Sequence, residues 1–249
     1  MRPAPLIAAL LVLAVTGVCV RLGFWQLSRL DEKRAANAAL RAALEAPPLT
    51  LAGASVPLDS VRHRRVALSG RYDLRRHILL AGRAHGGSPG VDVVTPLFVE
   101  GDSVAILVDR GWLYAADGAS ARPQDHDEPD EVRVTGIAEE VPRGTRLGSW
   151  LRLRADSVTL WSAITLDRDS LAGRLPYAVA PFYLRQLPGE GVPAQPLRSV
   201  PQPLDETMHM SYAAQWFLFG SILFFGSLLF ARNRRRARDA EPVPPAPAR

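Results

Sequence analysis

The residue best placed for chemistry is His209, which stands at the head of a long apolar run, MHMSYAAQWFLFGSILFFGSLLFA. Residues 210–231 of that run carry no formal charge, and an ionisable side chain at the edge of such a segment is costly unless it is used. Helical spacing puts His209, Tyr212, Ala213, Trp216 and Gly220 on one face, at i, i+3, i+4, i+7 and i+11. A neutral imidazole is a good iron ligand, and small residues let a flat ring or a second helix come close. The same residues also suit a plainer role, an interfacial aromatic belt with His209 at its head. Met208 and Met210 add thioethers of the kind that bind Cu(I). On a helix, however, they point about 200° apart and cannot share one ion.

Two elements must position this face. Residues 208–231 read as one transmembrane helix, long enough to cross a bilayer. A second apolar run, residues 5–27, is interrupted only by Arg21 and ends in Trp25 and Gln26. It lacks a small-residue cleavage site, so it is expected to remain as an anchor rather than be removed as a signal peptide. Trp25 suits the interface, and Gln26 can hydrogen-bond to the other helix. The arginines after residue 231 place that end in the cytoplasm, although Arg21, Arg29, Lys33 and Arg34 pull the other way. Both termini are then cytoplasmic and the central domain extracytoplasmic, in a bacterial-type inner membrane.

Between the spans, residues 28–46 have helix composition and end at Pro47-Pro48. Residues 47–187 break into short β-like runs, expected at 65–72, 77–81, 91–99, 104–108, 131–137 and 179–186, with a hairpin at Glu100-Gly101-Asp102. The fold class that follows is two transmembrane helices flanking an α+β domain dominated by an antiparallel sheet or small open barrel. A short helix capped by Asp167 is expected over 167–175. Residues 188–207 form a proline-rich linker and 232–249 a basic, proline-rich tail.

Composition narrows the function. The formal charge of +5 is concentrated in the tail, so a nucleic-acid groove is not expected. The lone Cys19 excludes an internal disulfide, a CxxC motif and a Cys-based zinc site. No HExxH, P-loop or GxGxxG fingerprint is present, and no enzyme activity is expected. The acidic tract QDHDEPDE (124–131) holds hard-cation ligands but reads first as a solvated loop. His63, His77, His85 and His126 read as surface or structurally satisfied side chains.

Several short motifs in order resemble the surfeit locus protein 1 family of cytochrome c oxidase assembly factors. They are Gly23-x-Trp25-Gln26-x-x-Arg29, Gly70-Arg71-Tyr72, Thr95-Pro96, Arg110-Gly111-Trp112, and His209 with Tyr212-Ala213-x-Gln215-Trp216. Asp109 departs from the Asn that usually precedes the Arg-Gly-Trp element. The resemblance implies a membrane protein that helps insert haem a into the oxidase catalytic subunit. In it the family's haem-ligand histidine falls on His209; with that ligand, Tyr212, Trp216, Trp25 and Gln26 are expected to line the site. It further implies the catalytic subunit as partner, with haem a synthase as a second candidate. A cofactor-free scaffold and a copper-delivery protein are the alternatives.

Overall fold

A computed structural model describes residues 4–126, 128–129, 131–144, 150–153 and 158–239. The chain divides into two compact units, one of residues 1–38 with 203–249 and one of residues 39–202.

The first unit is an antiparallel pair of helices, α1 (Ala4–Glu45) and the final helix α4 (Thr207–Asp239). Both are long and apolar enough to cross a membrane. Their buried residues follow alternating steps of three and four. On α1 these are Cys19, Gly23, Leu30 and Asn37, with half-buried Gln26 and Lys33 between them; on α4 they are Ala213 and Gly220, with His209, Trp216 and Leu223 half-buried. That 3.5-residue repeat is the signature of two helices coiled left-handedly about one seam. The helix expected over 28–46 is the unbroken continuation of α1, which ends just before Pro47-Pro48.

Among the described residues, the second unit is a nine-stranded sheet. Its strands are β1 (Leu49–Thr50), β2 (Arg65–Tyr72), β3 (Arg76–His85), β4 (Ser88–Phe98), β5 (Ala105–Tyr114), β6 (Glu131–Glu140), β7 (Leu151–Leu153), β8 (Thr159–Ala163) and β9 (Val179–Gln186). Short helices α2 (Leu58–Val61) and α3 (Arg168–Leu171) sit between strands. Asp167 caps α3 by accepting the Ser170 N–H at 3.1 Å. Strands β2, β6, β9, β5 and β4 form a ring that pairing of Arg71 and Tyr72 with Phe98 and Leu97 closes, so the barrel is closed rather than open. Most pairings are antiparallel; β1–β2, β3–β8 and β5–β9 are parallel.

Alternation along the strands fills the barrel. Val66, Leu68 and Tyr72 of β2, Ala180, Phe182 and Leu184 of β9, and Ile106 and Val108 of β5 share one buried cluster. The six strands expected from sequence correspond to β2, β3, β4, β5, β6 and β9. The three missed, β1, β7 and β8, are no longer than five residues and carry too little alternation to register.

Candidate cofactor site at the helix seam

The start of α4 is held against α1 by polar bonds that read like a clamp. Asn37 donates to the carbonyl of Leu204 at 3.0 Å and to Glu206 at 2.8 Å, and accepts the Leu204 N–H at 2.7 Å. Lys33 donates to the Asp205 carbonyl at 2.9 Å. Asp205 caps the helix through the Thr207 N–H and hydroxyl, at 2.9 and 2.6 Å, and these bonds hold its carboxyl below the usual carboxylate range. His209 follows within the first turn.

His209 is half-buried, and its Nδ1 lies 2.7 Å from Gln26 Oε1. With the amide oxygen accepting, Nδ1–H donates and Nε2 keeps its lone pair. This is how a histidine is prepared to ligate a metal, since a second-shell acceptor fixes the tautomer and ring orientation. Below this pair the seam is packed shut. A Cβ on Gly23 would lie 2.6 Å from the Phe217 ring, and one on Gly220 would lie 3.3 Å from Cys19 Cβ. Glycine at position 23 is what lets that ring cross α1, and Phe24 adds an edge-on contact with Phe217 at 5.3 Å between centroids.

The residues expected from sequence therefore divide. Gln26 and His209 meet, Ala213 is buried beside them, and Trp216 is half-buried with Phe219 edge-on at 6.2 Å. Trp25 (53% exposed) and Tyr212 (45%) turn away from the seam. A flat ring does not fit between the helices at the level of Gly23. Of these residues, His209 would be the one to hold a haem iron, offering its Nε2 as an imidazole donor. Met208 and Met210 are both exposed, and among the described residues no group of three or more His, Cys, Asp or Glu is arranged to hold a metal ion.

The sheet domain carries polar chemistry that sequence patterning did not reveal. Arg110 follows Ile106 and Val108 on the inward side of β5 and is wholly buried. Its Nε donates to Glu128 at 2.9 Å, its Nη2 to the His126 carbonyl at 2.5 Å, and its guanidinium lies 5.4 Å from the Tyr72 ring centroid. Glu128 also pairs with Arg198, which is itself buried. The expected solvated acidic loop is thus wrong for Glu128, because two buried guanidinium groups need a counter-charge. Asp125 and Glu131 do face solvent, paired with Arg122 and Arg71, while Asp127 and Asp130 lie outside the described residues. The proline-rich stretch is not a plain extended linker either. Leu197 exchanges both backbone hydrogen bonds with Trp112, at 3.0 and 2.7 Å. Arg198 donates to the carbonyls of Pro193 and Pro196 at 3.0 and 2.7 Å and to Gln186 at 3.1 Å.

His77 is fully buried too, with Nδ1 2.9 Å from the Thr95 hydroxyl. Burial, with Arg110 nearby, pushes its pKa down to about 4, so it is neutral on β3, the strand beside the barrel's β4. The motifs Gly70-Arg71-Tyr72, Thr95-Pro96 and Arg110-Gly111-Trp112 belong to three barrel strands, and Tyr72 and Arg110 meet inside. One further pattern, Gly86-Gly87-Ser88-Pro89-Gly90, spells the serine-nucleophile motif GxSxG. Here Gly86 and Gly87 form the β3–β4 hairpin turn between paired His85 and Ser88. No helix follows, so Ser88 lacks the strand-to-helix elbow that exposes such a nucleophile.

On the other side of β5, Asp109 is buried and accepts the Gly111 N–H at 3.0 Å. Burial, reinforced by the charge of Asp92, raises its carboxyl from 3.8 to about 7. A folded value above the unfolded one means that Asp109 favours the fold fully below pH 3.8, and that this contribution is lost as the pH rises through about 7. Asp109→Asn removes a carboxyl but keeps its shape and acceptor. The variant is expected to unfold at a higher temperature than the wild type at pH 8 and to lose that advantage at pH 4. Equal shifts at both pH values would show that Asp109 does not titrate in this range.

A model of the SURF1 family matches residues 13–221 of this chain. Over 90% of its length the chain is 29% identical to a SURF1-like protein of Rickettsia felis, covering 96% of that protein. Shorter matches reach the Surfeit locus protein 1 of Takifugu rubripes, 28% identical over 41% of this chain and 49% of that one. The cytochrome oxidase assembly protein SHY1 of Saccharomyces cerevisiae is 27% identical over 41% of this chain and 27% of that one. Because the family match begins inside α1, runs through the barrel and ends inside α4, it takes in both the seam and the domain, and the chain belongs to the SURF1 family.

Proposed function

We propose that this chain is a membrane-bound assembly factor for cytochrome c oxidase that holds haem a through His209 and passes it to the catalytic subunit. The similarity to the yeast cytochrome oxidase assembly protein SHY1 supports the oxidase, and one observation supports the cofactor. The Nδ1 of His209 is engaged by Gln26, which leaves Nε2 as a fixed, partly accessible imidazole donor at the head of an apolar helix. A single imidazole donor would suit handover, because one residue, His209, would hold the group and one bond would release it. Trp216 flanks the ligand, and Tyr212 and Trp25 are positioned to meet the ring edge or the bilayer interface. The chain's role is binding and release, with no catalytic turnover. In this reading both helices span a bacterial-type inner membrane, both termini are cytoplasmic and the barrel is extracytoplasmic, where haem a synthase is a second partner.

The test is the absorption spectrum of the full chain, purified in detergent from cells that make haem a, beside His209→Ala and Gln26→Leu. A haem band is expected in the wild type, absent in His209→Ala, and weakened in Gln26→Leu by roughly 10- to 100-fold in affinity, as for loss of a second-shell partner. A folded wild type that binds oxidase subunits but shows no band would leave a cofactor-free scaffold as the function.

A further inference from the structure

The seam accounts for one side of α1, and the opposite side carries a charge that no group among the described residues answers. Arg21 lies two residues from both Cys19 and Gly23, so at 100° per residue it points some 160–200° away from the seam. It is exposed and has neither a hydrogen bond nor an ion pair among the described residues. Trp25, one turn further on, shares that outward face.

Its depth follows from the helix pairing. Gly23 lies beside Phe217 and Gly220 beside Cys19, which sets Arg21 level with residues 218–219 of α4. From there, at 1.5 Å per residue, Met210 is about 12 Å away and Ala231 about 18 Å. Side chains on a helix lean toward its N-terminus. On α1 that is the direction of Ala231, the more distant boundary, so snorkelling to the near interface is disfavoured. An ionised side chain deep in hydrocarbon is costly and is normally paired. Val18, in the turn before, adds an exposed apolar residue to the same side of α1, so the surroundings of Arg21 offer no alternative counter-charge.

We propose that this outward face of α1 docks a membrane helix of the oxidase under assembly, and that this helix presents an Asp or Glu to Arg21. The inference rests on reading both helices as membrane spans and the chain as an oxidase assembly factor. A carboxylate is the occupant because it is the group that offsets a guanidinium away from water, through two parallel charge-assisted hydrogen bonds. A lipid phosphate remains at the headgroups and does not reach this level.

The test uses the full chain in membranes of cells making the oxidase, with photoreactive benzoylphenylalanine in place of Val18. The expected adduct is a membrane-helix peptide of an oxidase subunit with an acidic residue within one turn of the cross-link. Arg21→Leu is expected to lower adduct yield by roughly tenfold. Arg21→Glu should abolish the adduct, and replacing the partner's carboxylate with Arg should restore it. Because Arg21 has no hydrogen bond or ion pair among the described residues, the helical circular dichroism and the haem band of Arg21→Leu should match the wild type. Adducts with lipid alone, a peptide lacking an acidic residue, or unchanged yield in Arg21→Leu would overturn the docking. An acidic helix from outside the oxidase would keep the carboxylate contact and overturn the oxidase as its source. Loss of the haem band in His209→Ala with the adduct retained separates this contact from the carrier role.

Discussion

Replacing Glu128 with alanine is expected to destabilise the sheet domain by about 3–5 kcal/mol. The size follows from burial on both sides of the ion pairs. The Glu128 side chain is 4% exposed, that of Arg110 is fully buried and that of Arg198 is 2% exposed. Removing the one carboxylate leaves two guanidinium groups in a low-dielectric interior with no counter-charge, a far larger penalty than losing a surface ion pair. The measurement is thermal unfolding of the full chain in detergent. At this domain size the midpoint should fall by roughly 2–4 °C for each kcal/mol. Glu128→Gln keeps an acceptor for one guanidinium and should fall between the wild type and Glu128→Ala. A change below about 1 kcal/mol would mean that the carboxylate is exposed in solution, as surface ion pairs are.

The second large effect is expected at Gly111, and it acts on the same segment. Its φ of 111° lies where L side chains are strained, and a Cβ there would stand 2.4 Å from the Leu197 carbonyl oxygen. Gly111→Ala therefore costs about 1–3 kcal/mol in backbone strain alone, and also forces residues 197–198 away from β5. That displacement breaks the paired backbone bonds between Trp112 and Leu197 and pulls Arg198 from Glu128. The variant should show new protease cleavage in residues 190–200 under conditions where the wild type resists. Combined with Glu128→Ala it should cost less than the sum of the two single effects, because each already loosens the same segment. Full additivity would show that Gly111 and Glu128 act independently.

Much of this architecture is legible in the linear chain. The apolar runs around residues 5–27 and 208–231, the strands at 65–72 and 179–186 and the capped helix at Asp167 all rest on local periodicity or residue type. Those signals need no knowledge of the rest of the molecule. The single histidine at the head of the second apolar run is conspicuous for the same reason, since hydrocarbon penalises a charge wherever the chain goes next.

Long-range packing decided the remainder. Glu128 sits in a tract of carboxylates that all look solvated, and only the approach of Arg110 and Arg198 from distant parts of the chain selects one for burial. Residues 193–198 read as a linker because prolines have no periodicity, yet their carbonyls are the partners Arg198 needs. Trp25 joins His209 only as a residue at the end of the other span, whereas helical spacing groups Tyr212 with His209 because a helix face at 3.6 residues per turn is broad. The partner helix buries only the narrow 3.5-residue strip within it, so Gln26, Ala213 and His209 are enclosed while the two aromatics turn outward. The sequence by itself determined which segments are long and apolar enough to cross a membrane and which alternate as strands, because hydropathy and periodicity are local. Only the tertiary structure decided which charges are buried and which face of each helix is shared, because those depend on what arrives from elsewhere in the chain.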